Sequence, residues 1–189
     1  MDAIDLYWLP VGAGTHFQRA SLLLYESILA AVQRRPRAVL CHSALKIEAD
    51  GRPYTLELMP VPAHEEFAPL LTGPVGSSIA GRLRLFRYQL CLKESARLPD
   101  ESWSIDSPLR LTTDPRTVGA LFAVAPSTPA HVWGRRVPGT SEMWASNSTI
   151  SWLLASVGIP ASEIGLPPGT RAPGWNAGLE VVAAHANGN

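Results

Sequence analysis

A chain of 189 residues, 46% apolar and only 17% charged, can bury a substantial core and suits a single domain spanning 1–189. Sixteen cationic side chains balance sixteen anionic ones, and a formal net charge of zero excludes the broad electrostatic grip used to hold nucleic acid or an acidic membrane. Two cysteines, Cys41 and Cys91, are too few for a disulfide framework or a thiolate zinc cage.

No stretch approaches the roughly 20 apolar residues of a membrane span. The opening MDAIDLYWLP lacks the basic start of a secretory signal, so the expectation is a cytoplasmic protein without a span. The five histidines, His16, His42, His64, His131 and His185, are scattered, and none has metal-ligand spacing with another. Neither a metal nor a cofactor is expected.

In chain order, IDLYWLPV reads as a first strand ended by Pro10, followed by the loop GAGTH. A helix is expected from about Gln18 to Arg34, with Leu22, Tyr25, Leu29 and Val32 on one face. Arg34, Arg35 and Arg37 close it, where cations suit the helix dipole. The loop lacks the Lys-Ser/Thr of a P-loop, and Phe17 stands where a third phosphate-cradling glycine would be, which argues against nucleotide binding.

Next come AVLCHSALKIEA and PYTLELMPV, joined by Asp50-Gly51. Asp-Gly between alternating runs marks a tight hairpin, because both central residues of a type I′ turn need positive φ. A two-residue turn sets Ala49 opposite Arg52, Ala44 opposite Glu57 and His42 opposite Met59. Ser43, Leu45, Ile47, Tyr54, Leu56 and Leu58 then share an apolar face, and His42, Lys46, Glu48, Thr55 and Glu57 share the polar one. His42 and Glu57 are diagonal neighbours there, about 7–8 Å apart at the backbone. A carboxylate near an imidazole raises its basicity and selects its tautomer. The alternative is a simply solvated face. Cys41 adjoins His42, but alternation points it to the opposite side.

Farther on, TGPVGSSIAG leads into RLRLFRYQLCLK, a long strand, and SPLRLTTDP reads as a loop in which Asp114 caps a helix with Pro115 at its first position. That helix places Val118, Leu121, Phe122 and Ala125 on one side. A Pro-rich connection reaches SEMWASNSTISWLLASVG, whose second half is helical through Ile150, Leu153, Leu154 and Val157, with Gly158 as its stop. The loop PPGTRAPGWNAG precedes a last strand, LEVVAAH. The order is β-α-β-β-β-α-α-β, an α+β fold whose antiparallel sheet carries packed helices. Trp133, Trp144, Trp152 and Trp175 fall in the last third, where they fill the core or line a cleft.

The helix mouth crowds Ser146, Asn147 and Ser148. Such residues serve as caps worth about 1 kcal/mol. The same unpaired N–H groups also stabilise an oxyanion, so a hydroxyl there is a candidate nucleophile. HSALKIEADGRPYTLEL followed by NSTISWLL resembles the circularly permuted NlpC/P60 branch of papain-like proteins, which includes lecithin:retinol acyltransferase-like and PPPDE-type members. The resemblance covers residues 38–60 and 144–156. It places His42 at the family's strand histidine and Ser148 where the family has its nucleophilic Cys, with Glu57 as the third polar residue.

What the resemblance implies is a papain-like α+β fold and a hydrolase or acyltransferase acting on an amide, ester or thioester. Ser148 would attack, His42 would serve as base and acid, and Glu57 would orient His42. Asn147, Ser146, Trp144 and His16 would bind a small-molecule, peptide or acyl substrate. A serine is far less acidic than a thiol and needs concerted proton removal, so the alternative is a binding domain that has lost its nucleophilic Cys. Whether Ser146 or Ser148 carries the functional hydroxyl stays open. The chain is also similar to a bacterial protein family without assigned activity that shares GRLRLFRY and RAPGW, which adds no chemistry.

Overall fold

The computed structural model describes residues 1–11, 38–61, 68–98 and 100–187. The helix expected over 18–34, the GAGTH loop, His16 and His64 lie outside these residues. Among the described residues seven strands run as β1 (Ala3–Pro10), β2 (Val39–Ala49), β3 (Arg52–Pro60), β4 (Leu71–Pro74), β5 (Arg87–Glu94), β6 (Ile105–Thr112) and β7 (Thr170–Arg171). Three described helices are α1 (Pro115–Val124), α2 (Ser146–Ser156) and α3 (Trp175–Asn187). The sheet order is β4-β5-β3-β2-β1-β6, antiparallel throughout, with β7 added in parallel to the start of β2. The architecture is α+β. No helix among the described residues is long and apolar enough to cross a membrane.

The Asp50-Gly51 hairpin forms as its chemistry requires. Both residues have positive φ, 50° and 74°, and Ala49 pairs with Arg52. That register sends Leu45, Ile47, Leu56 and Leu58 into the main core with Ile4, Leu6 and Trp8 of β1. The helices cover this side of the sheet. Trp8 meets Trp175 of α3 with ring centroids 4.9 Å apart, and Ile150, Leu153 and Leu154 of α2 are fully buried against the same cluster. Val118, Leu121 and Ala125 of the α1 region join them. Asp114 caps α1 by accepting from the Arg116 and Thr117 amides, with Pro115 at the first position.

Three sequence expectations change. The stretch RLRLFRYQLCLK becomes strand only from Arg87; residues 80–86 form two short 3₁₀ turns. Its neighbour β3 ends with the Pro60–Tyr88 pair and a last bond from the Val61 amide to the Arg87 carbonyl. Among the described residues no strand continues the ladder on that side, and the backbone of 80–86 bonds largely within its own turns. The stretch SPLRLT, expected as loop, is β6 at the sheet edge beside β1. Pro108 is tolerated there because an edge strand needs no donor on its outer side.

The third change is LEVVAAH, which is helix rather than strand. Buried Gly174, Ala177, Gly178 and Val181 follow the i, i+3, i+4, i+7 spacing against α2. Gly178 makes that packing possible. A Cβ there would lie 2.1 Å from the Ser148 carbonyl oxygen and 2.2 Å from Ser151 Oγ.

Candidate functional site

The two faces of β2 organise everything around the helix mouth. Ser43 lies opposite Trp8 on the helix-covered face, while His42 lies opposite Leu9 on the other. Leu9 belongs to a smaller apolar cluster with Tyr7, Ala44 and Leu98, so this second face has its own cover. Lys46 reaches across it to Glu101 at 2.9 Å, and the Tyr7 hydroxyl donates to the same carboxylate at 3.2 Å. Burial alone would push Glu101 upward, but the hydrogen bond and charge of Lys46 outweigh it and hold the carboxyl below its usual range. Burial, reinforced by the Glu101 charge, pushes the Tyr7 phenol up to about 12.

His42 and Glu57 meet on this second face, with Nε2 3.8 Å from Oε2. Their side chains are 22% and 7% exposed, so the imidazole reaches solvent while the carboxylate does not. The face is therefore not simply wet. Thr55, Glu57, Gln89 and Cys91 are all buried on it, and Glu57 sits directly opposite Cys91 in the ladder. Glu57 Oε1 and Gln89 Oε1 are buried without a hydrogen-bond partner among the described residues. Burial pushes the Cys91 thiol up, which keeps it protonated and a poor nucleophile. Burial likewise raises Cys41, to about 11. Gln89 and Cys91 carry no motif, and only the β3–β5 pairing brings them beside Glu57.

Across the sheet plane, α2 opens with an extended Ala145 (φ −148°) as its N-cap residue, so Ser146, Asn147 and Ser148 occupy the first three helical positions. The cap comes from inside the helix. Ser148 Oγ accepts from the Ala145 amide at 2.9 Å, the reach-back half of a capping box. The same hydroxyl donates to the Gly174 carbonyl at 2.7 Å, and Ser148 is fully buried. A Cβ on Gly174 would lie 2.5 Å from that hydroxyl, and its φ of +86° suits glycine alone.

Asn147 is the joint. Its Oδ1 accepts from the Ser43 amide and the Ser43 hydroxyl, each at 2.8 Å, and its Nδ2 donates to Cys41 O at 2.9 Å and Pro173 O at 3.0 Å. The amide thus continues the pairing of the β2 edge between β7, which ends at Leu40, and β3, whose ladder begins at Leu45. It grips the backbone on both sides of His42.

The structure brings His42 to Glu57 and does not bring Ser148 to His42. Ser148 is fully buried, and its hydroxyl is taken up by the Ala145 amide and the Gly174 carbonyl. The expected attack by Ser148 with His42 as its base is corrected accordingly. Trp144, expected against substrate, is fully buried with its ring edge-on to His131 at 4.8 Å. Ser146, in the first turn, is only partly buried, and its hydroxyl has no hydrogen-bond partner among the described residues. Among the described residues no group of His, Cys, Asp or Glu has the geometry to hold a metal ion.

Comparison of the chain with protein-family models, with curated proteins and with solved structures finds no match.

Proposed function

We propose that the chain is a hydrolase or acyltransferase of papain-like, NlpC/P60 type acting on an amide, ester or thioester. In this reading Ser146 supplies the hydroxyl, His42 is the general base and Glu57 orients His42. One observation supports it above others: Asn147 ties the first turn of α2 to Cys41 and Ser43, the two residues flanking His42. Ser146 adjoins Asn147, so its Cα lies within about 10 Å of that backbone given the 3.8 Å Cα step. Ser148 is committed to Ala145 and Gly174, which leaves Ser146 as the serine hydroxyl at the mouth.

His42 Nε2 faces Glu57, so Nδ1 is the atom that takes the proton. As Ser146 Oγ forms its bond to the carbonyl carbon, its proton passes to Nδ1. The first-turn N–H groups of α2 meet the developing oxyanion. Collapse breaks the bond to the leaving group, which departs with the proton from His42. Water or an acyl acceptor then releases the acyl group by the reverse path.

A fluorophosphonate probe on the full chain tests this. Labelling that survives Ser148→Ala and is lost in Ser146→Ala and His42→Ala is the expected result. Labelling unaffected by Ser146→Ala, or none in the wild type, overturns it. A second reading, a binding domain without catalysis, draws on the 3.8 Å His42–Glu57 separation, longer than a working hydrogen bond. Absence of labelling in a folded wild type would favour it.

A further inference from the structure

The connection between β4 and β5 carries a surface that the acyl-transfer reading does not use. Residues 80–86 fold into two successive 3₁₀ turns closed by backbone hydrogen bonds. The Gly81 amide donates to Ser77, that of Arg82 to Ile79, that of Leu83 to Ala80 and that of Phe86 to Leu83. Gly81 presses these turns onto β4, since a Cβ there would meet Pro74 Cβ at 2.4 Å. The turns are therefore a fixed platform. Yet they present Ile79 at 75% exposure, Leu83 at 63% and Leu85 at 85%. Side chains of this size left open on a rigid platform mark a contact surface.

Charge identifies the contact. Arg82 and Arg84 interleave with the apolar side chains and Arg87 follows, while residues 68–93 contain no Asp or Glu. Overall neutrality does not cancel this, because fields beyond the ~8 Å Debye length are screened in physiological salt. A recess of about 160 Å³ lined by Val61, Thr72, Arg84 and Arg87 adjoins the turns. Arg87 Nη2 donates to Thr72 Oγ1 at 2.7 Å, which fixes its guanidinium at the recess.

We propose that this connection docks the protein on a bilayer containing anionic phospholipid. Leu83, Leu85 and Ile79 enter the boundary between headgroups and acyl chains, and Arg82 meets lipid phosphates. A bilayer fits better than a protein partner because a few side chains on short turns fall far below the ~800 Å² per side of a specific protein interface. Lipid also accommodates an irregular set of protruding side chains without a complementary shape. Docking of this kind needs no spanning helix.

The test is cosedimentation of the full chain with vesicles of phosphatidylserine and phosphatidylcholine, and with phosphatidylcholine alone. Binding is expected to be at least about tenfold stronger to the mixed vesicles and to weaken in 0.5 M salt, as electrostatic attraction to anionic lipid requires. The Leu83→Ser/Leu85→Ser and Arg82→Gln variants, all at exposed positions, should each reduce it several-fold while their circular dichroism matches wild type. Equal binding to both vesicle types, or variants that bind like wild type, overturns the proposal. So does a dimer in sedimentation velocity that Leu85→Ser dissolves without any vesicle binding. Each outcome is independent of probe labelling at Ser146.

Discussion

Asn147→Ala should be among the most costly single substitutions in this chain. The side chain is 2% exposed and makes four hydrogen bonds, to Ser43 N, Ser43 Oγ, Cys41 O and Pro173 O. Truncation leaves one backbone amide and two carbonyls without partners at the junction of β2, α2 and the approach to α3. At a net of about 1 kcal/mol per bond, the four bonds put the loss at about 3–5 kcal/mol. Against a total stability of about 5–15 kcal/mol the protein stays mostly folded. With ~2–4 °C per kcal/mol at this size, Tm falls by about 6–20 °C.

Asn147→Asp sharpens the test. The carboxyl keeps the acceptor toward Ser43 but turns its second oxygen toward Cys41 O and Pro173 O, so it fits only when protonated. Its folded pKa is then raised above the unfolded value of about 3.9. The sign follows: the variant is least compromised below that value, and its deficit grows by ~1.4 kcal/mol per pH unit above it until the folded pKa is passed. Urea unfolding followed by tryptophan fluorescence between pH 4 and 8 measures both variants. A loss under about 1 kcal/mol for Asn147→Ala, or a pH-independent deficit for Asn147→Asp, would refute the clamp.

Three further outcomes are expected. Gly73→Ala should cost about 1–3 kcal/mol by overpacking, because its Cβ would fall 2.2 Å from Cζ of Tyr88, a ring held by its hydroxyl's bond to His131 O; thermal melts check it. Cysteine scanning of the helix mouth should separate two neighbours: Ser146→Cys reacts with a thiol reagent in the native state, whereas Ser148→Cys stays protected until the protein unfolds. Glu101 is held below its usual pKa, so its contribution is complete above the unfolded carboxylate value and disappears as pH falls through the folded one. Acid titration of stability should show this loss, and Lys46→Met should flatten it.

Much of the hairpin was legible in the residues themselves. Asp50-Gly51 fixes a two-residue turn, the turn fixes the register, and alternation then places His42 with Glu57 and away from Ser43. Asp114-Pro115 and Gly158 likewise mark helix ends through local chemistry, the latter with φ 80°. What failed were segments whose local pattern fits two periods. LEVVAAH has too few polar residues to choose between strand and helix, and Gly178, which lets α3 approach the backbone of α2, settles it only in three dimensions. The start of β5 near Arg87 follows from its pairing with β3, whose last partner is Pro60, about 27 residues earlier in the chain, rather than from RLRLF itself.

The helix mouth shows the same division. Amino-acid order alone determined that three polar residues begin a helix and that one histidine shares a strand face with one glutamate, because caps and alternation act over a few bonds. Which serine is sealed and which is open, and that Asn147 bridges β2 to the Pro173 loop, was decided by the arrival of Gly174 and Cys41 from distant parts of the chain. Hydrogen bonds to backbone carry no side-chain signature, so nothing in the identity of Cys41, Pro173 or Gly174 announces them; only the assembled fold brings those carbonyls within reach.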